Sequence, residues 1–130
     1  MKRILCVTCG ILMLASSAVA EETCANGKGK LVQDYDGNNY CVSQVKMNWF
    51  SAFSWCETIG GKLPTLEDCN CKDCGVTPTS CPNLRNVMFK TEVYGFWLSN
   101  VASSEKVYVA TDGRVQLGKR EQAYTACKMP

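Results

Sequence analysis

Four of the ten cysteines crowd into Cys69-x-Cys71-x2-Cys74-x6-Cys81. Four thiolates at that spacing make a tetrahedral zinc shell in one chemical setting and two disulfides in another. Cys71-Lys72-Asp73-Cys74 also has the spacing of a redox dithiol. That chemistry needs a strand-to-helix setting and a lowered thiol pKa, and no such pattern surrounds it. The chain contains no histidine, which removes Ser-His-Asp and Cys-His nucleophilic catalysis and every zinc site built with imidazole. The carboxylates Glu57, Glu67, Asp68 and Glu92 show no acid–base pairing and read as exposed charge. Asp34, Asp36, Asn38 and Asn39 gather oxygens in one turn, where a solvated turn explains them better than a weak cation site. Trp49, Trp55, Phe96 and Trp97 are able to stack on a sugar, but at helix and strand periods such residues read as core. No residue is assigned a catalytic, cofactor-binding or metal-ligating role.

The start of the chain suggests where these cysteines end up. Lys2 and Arg3 precede an apolar run from Ile4 to about Leu14, then small residues ending in Ala18-Val19-Ala20. This is the pattern of a secretory signal peptide over residues 1–20. The run is too short to cross a bilayer, which takes about 20 apolar residues. The expected mature domain, residues 21–130, is secreted, periplasmic or on the cell surface. It keeps 12 basic residues of the 14, against 12 acidic ones, and that neutrality argues against nucleic acid as a partner. Nothing later in the chain reads as membrane-spanning. Its cysteines are Cys24, Cys41, Cys56, Cys69, Cys71, Cys74, Cys81 and Cys127. An even set in a short exported chain reads as a disulfide framework. Within the 69–81 insert this favours two disulfides over zinc. Cys71–Cys74 nested inside Cys69–Cys81 is one arrangement, with the other pairings open.

The elements that must position these residues follow from pattern. Lys30–Gln33 and a run from Tyr40 flank the turn signal Asp36-Gly37-Asn38 and predict a hairpin-like entry, with Cys24–Cys41 as one possible tie. Asn48 is placed to cap a helix. Trp49, Ala52, Phe53, Cys56 and Ile59 recur at spacings of three and four and predict one buried face, widened by Phe50 and Trp55. Gly60-Gly61 stops that helix. Thr65 and Asp68 have capping-box-like spacing ahead of a helical turn from Leu66. Pro82 suits a first helical position, and Leu84, Val87 and Met88 give a second helix over about 82–90 an apolar face. Tyr94–Ser99, Lys106–Thr111 and Val115–Leu117 predict strands, the last two joined at Asp112-Gly113. Ala123–Cys127 alternates and predicts a final strand. The order is that of a single α+β domain.

Three stretches in sequence order resemble the C-type lectin-like domain: Trp49 to Pro64 (WFSAFSWCETIGGKLP), Phe96-Trp97-Leu98-Ser99, and Ala123-Tyr124-Thr125-Ala126-Cys127. The resemblance covers about residues 40–130. It implies two short helices packed on antiparallel sheets, and a Cys56–Cys127 disulfide joining the first helix to the last strand. Cys24–Cys41 matches the extra bridge of long-form members. Relatives that bind sugar through calcium carry Glu-Pro-Asn or Gln-Pro-Asp on a long loop. Here only Asn100 to Glu105 separates two strands and neither motif is present, so the resemblance is to compact bacterial and phage forms without a calcium shell. The implied function is non-catalytic extracellular recognition of an unidentified protein or glycan, adhesin-like in kind. The alternative is a structural component of a cell envelope, pilus or secreted assembly.

Overall fold

The computed structural model describes residues 22–69, 81–111 and 114–130. The expected signal peptide, Cys71 and Cys74, and the Asp112-Gly113 turn lie outside the described residues. Strands β1 (Thr23–Cys24), β2 (Gly29–Gln33) and β3 (Asn39–Ser43) come first, then helices α1 (Trp49–Thr58), α2 (Leu66–Cys69) and α3 (Pro82–Thr91). Strands β4 (Phe96–Val101), β5 (Lys106–Ala110), β6 (Arg114–Gly118) and β7 (Ala126–Lys128) complete the α+β order. They form two antiparallel sheets, β1-β2-β3-β7 and β4-β5-β6.

The final strand is shorter than the alternation in 123–127 predicts. Ala123 and Tyr124 make isolated bridges to Met47 and Phe96, and only Ala126–Lys128 forms a ladder with β3. The chain is crossing from one sheet to the other here, so no single neighbour accompanies it along its length.

β3 and β4 are buried on both faces. Their period of two sends Tyr40, Val42, Phe96 and Leu98 to a core shared with Leu84, Val87 and Met88 of α3. It sends Cys41 and Trp97 to a second core shared with Ala52 and Cys56 of α1, Val107, Val109 and Cys127. Trp97 is fully buried, and its Nε1 donates to the Met47 carbonyl at 2.7 Å, so its one polar atom is satisfied.

Among the described residues three disulfides staple the framework: Cys24–Cys41, Cys56–Cys127 and Cys69–Cys81. They fit an oxidising, extracellular setting. A side chain at Gly29 would place its Cβ 2.8 Å from Cys41 Sγ and 3.0 Å from Cys24 Sγ, so glycine makes room for the first bridge. The second closes 71 residues of sequence separation, and loop-closure entropy assigns such a bridge about 4 kcal/mol. Among the described residues no helix is long and apolar enough to cross a membrane.

Candidate binding surface on the first helix

Helix α1 starts where expected: Asn48 Oδ1 accepts from the Ser51 amide at 2.8 Å. It ends where Gly60 takes a left-handed φ of 84°, which glycine adopts without steric cost. Its inner face is narrower than the sequence pattern predicts. Ala52 and Cys56 are buried, but Phe50 is 51% exposed and Phe53 42%. The expected face spanned more of the helix circumference than the sheets cover. Phe50 and Phe53 share their flank with the exposed Glu57 at i, i+3 and i+7, and that charge is the sequence signal that the flank faces water.

The exposed rings are held in place. Half-buried Trp49 donates from Nε1 to the Leu98 carbonyl at 3.0 Å, which fixes its ring against β4. Phe50 packs edge-on against it at 5.5 Å between centroids, and Phe53 lies tilted at 5.6 Å. The Trp49 amide donates to the Lys119 carbonyl at 3.1 Å, and the Lys119 ammonium sits 5.5 Å from the centre of the indole, a cation–π contact. One indole therefore organises two phenyl rings and a cation.

Phe53 opens onto a groove of about 540 Å³ that runs past Leu63, Thr65 and Ser99, with Glu57 and Lys62 on its rim. Ser99 N–H donates to the Pro64 carbonyl at 2.8 Å, tying the groove floor to β4. A second hollow of about 460 Å³ shares Gly61, Lys62, Leu63 and Thr65 with the first and reaches Lys128 and Met129. Asp68 stands in it, and here the reading as exposed charge is corrected. Its carboxylate accepts from Lys128 Nζ at 2.7 Å and from the Thr65 amide and hydroxyl at 2.8 and 3.1 Å. Burial works against the charge, but Lys128 and the Thr65 donors outweigh it and hold the Asp68 pKa below its usual value. Thr65 and Asp68 thus form the expected box, with an ion pair that no local spacing announces. Glu57, Glu67 and Glu92 are exposed, as read.

The remaining sequence candidates separate in space. Phe96 and Trp97 are core. Trp49 and Trp55 are half-buried and reach the surface on different flanks of α1. Trp55 lines a separate hollow with Lys28, Ser43 and Val45.

The turn at Asp34 is exposed at Tyr35, Asp36 and Gly37, as expected of a solvated turn, but its first carboxylate is buried. Asp34 is 5% exposed and Asn83, on α3, only 1%. Asp34 Oδ1 accepts from the amides of Asp36 and Asn38, both at 2.9 Å, and Oδ2 from Asn38 Nδ2 at 3.3 Å. Asn83 accepts from the Tyr35 amide at 3.0 Å and donates to Asp36 Oδ2 at 2.9 Å. The oxygens are already engaged by N–H donors, so the turn is a clamp on α3. Among the described residues no group of three His, Cys, Asp or Glu is arranged to hold a metal. Beneath the clamp, burial and then the charges of Asp68, Asp34 and Asp36 drive the Tyr40 hydroxyl far above its ordinary pKa, so it stays protonated.

What the α1 surface offers chemically is contact: fixed aromatic faces, a groove of side-chain dimensions and charge at the rim. Comparison of the chain with protein-family models, with curated proteins and with solved structures yields no match.

Proposed function

We propose that this chain is a non-catalytic extracellular recognition module on a compact C-type lectin-like scaffold, binding a protein or glycan through the outer flank of α1. The observation that carries the proposal is the pair of exposed phenyl rings immobilised on Trp49. Exposed aromatic area is costly in water, and rings already fixed lose little further freedom when a partner covers them. Rigid aromatic anchors beside a pocket are the usual seat of binding energy.

The scaffold reading draws support from the disulfides. Cys56–Cys127 joins the first helix to the last strand, as the resemblance implies, and Cys24–Cys41 has its long-form counterpart. The reading as a non-enzyme rests on the missing histidine and on the engagement of the two most buried described carboxylates, Asp34 and Asp68, in structural hydrogen bonds. The test is a glycan and surface-protein array probed with residues 21–130 and with the Phe50→Ser/Phe53→Ser double variant. Binding by the parent and its loss in the double variant are expected. Undiminished binding by the variant would remove this surface from the proposal. A chain that binds nothing and assembles into stable oligomers would belong to an envelope or pilus structure instead.

A further inference from the structure

We infer that the Cys24–Cys41 disulfide is a redox latch: an external dithiol opens it ahead of Cys56–Cys127, and its opening releases β1 from the edge of the first sheet. The latch is independent of what the α1 surface binds.

The two bridges differ in access. Cys24 is half-buried, whereas Cys41, Cys56 and Cys127 are fully buried. A thiolate must attack a disulfide sulfur directly, so exchange follows access. A reductant reaches the first bridge through Cys24 and has no such approach to the second. They differ in local hold as well. β1 is two residues long and lies at the outer edge of its sheet. Its register pairs are Thr23↔Lys30 and Cys24↔Gly29, extended by the Leu31 amide, which donates to the Glu22 carbonyl at 3.2 Å. Cys24 and Ala25 are only partly buried against the second core. A short edge strand belongs to the low-stability end of a structure. Cys56 instead sits on a ten-residue helix, and Cys127 is paired within the β3–β7 ladder. The turn after β1 adds strain. Ala25 has a φ of 53°, Asn26 of 56° and Gly27 of 84°. Asparagine and glycine tolerate this left-handed region, but alanine enters it at a steric cost. The closed bridge fixes Cys24 in register and Ala25 in that conformation. With the bridge open, the turn is free to relax.

The exchange is a plain thiol–disulfide displacement. A thiolate of the dithiol attacks Cys24 Sγ and forms a mixed disulfide; the S–S bond breaks, and Cys41 leaves with the electron pair and takes up a proton. The second thiol, losing its proton, displaces Cys24. The dithiol ends oxidised to a disulfide, and both cysteines end as thiols. Departure of β1 takes the acceptor from the Leu31 amide and bares the β2 edge to pairing with another strand.

The experiment titrates oxidised residues 21–130 with dithiothreitol under native conditions, traps free thiols with N-ethylmaleimide and maps the label by mass spectrometry. Cys24 and Cys41 should take the label at a dithiothreitol concentration about tenfold or more below that needed for Cys56 and Cys127. At that lower concentration, hydrogen exchange at the Leu31 amide should rise about tenfold or more. The Trp97 amide, bonded to the Tyr124 carbonyl at 3.1 Å, should keep its parent rate. The Cys24→Ala/Cys41→Ala variant should show the same fast Leu31 exchange without reductant and should still form Cys56–Cys127. All four cysteines labelling together, or Cys56 or Cys127 labelling first, overturns the inference. So does a Leu31 amide that stays protected once Cys24 is labelled. Fast exchange at Trp97 as well would mean that the bridge holds the whole fold, and that too overturns the latch.

Discussion

Helices α1 and α3 are each ten residues long and each packs against a doubly buried strand, yet they are held by different means. α3 buries Leu84, Val87 and Met88, leaves Phe89 outside, and adds the Asn83 clamp to the Asp34 turn. α1 buries only the small residues Ala52 and Cys56, leaves Phe50 and Phe53 outside, and is tied to β7 by a covalent bond. The disulfide, the cap and the packing of Trp49, Trp55 and Ile59 against the second core hold α1, while Phe50 and Phe53 lie on its outer flank. The contrast separates the part of the molecule that holds the fold from the part that is available for contact.

The largest expected effect breaks the covalent side of this contrast. Cys56→Ala/Cys127→Ala should remove about 2–5 kcal/mol of unfolding free energy in denaturant titration, since α1 has little buried area with which to compensate. Peptide mapping under non-reducing conditions checks the parent pairing. Next comes the polar side. Asn83→Ala removes the bonds from the Tyr35 amide and to Asp36 Oδ2 and should cost about 1–3 kcal/mol, read from the same titration. Acid provides a smaller test. The Asp68 pKa lies below its unfolded value, so its pairing with Lys128 adds stability above the unfolded pKa, near 4 on the usual scale. That contribution is lost as pH falls through the folded pKa. Melting temperature should therefore drop more steeply below about pH 4 in the parent than in Asp68→Asn. A small effect on stability belongs to the outer flank of α1: Phe50→Ser/Phe53→Ser should cost about 1 kcal/mol, the value of the ring contacts with Trp49, while abolishing the proposed recognition. A large loss of stability there would erase the distinction between the two helices.

Much of the framework is legible in residue order because it depends on neighbours. Asn48 caps α1 and Gly60 ends it, Pro82 opens α3, and Thr65 reaches only to Asp68. Periodicity also places Leu84, Val87 and Met88 on one buried face. What pattern misses is set by distant partners. Asp34 reads as a wet turn because the Asn83 that closes over its turn is far along the chain, and Asp68 reads as free because Lys128 is equally remote. The width of α1's buried face fails for a related reason. Spacing says which residues share a side of a helix, but the sheets decide how much of that side is covered. The aromatic flank therefore appears only in three dimensions, although Glu57 on the same flank marks it in retrospect.

The position of β7 carries a consequence for how the chain oxidises. Cys127 lies directly opposite Cys41 in the β3–β7 ladder, and both enter the same core. Facing residues on antiparallel neighbours have Cβ atoms about 4.5–5.5 Å apart, close to what a disulfide spans. The native geometry therefore holds a wrong crosslink, Cys41–Cys127, almost within reach. The two cysteines are separated by most of the described chain, whereas Cys24 and Cys41 are only 17 residues apart. Short loops close far more readily than long ones. A polypeptide delivered to an oxidising compartment from its N-terminus brings Cys24 to Cys41 while the C-terminal strand is still on its way. Cys127 then meets a neighbour already bonded and pairs with the Cys56 that the fold sets beside it. Arrival in that order would protect the pairing, and reductive unfolding of residues 21–130 followed by reoxidation would give that protection up.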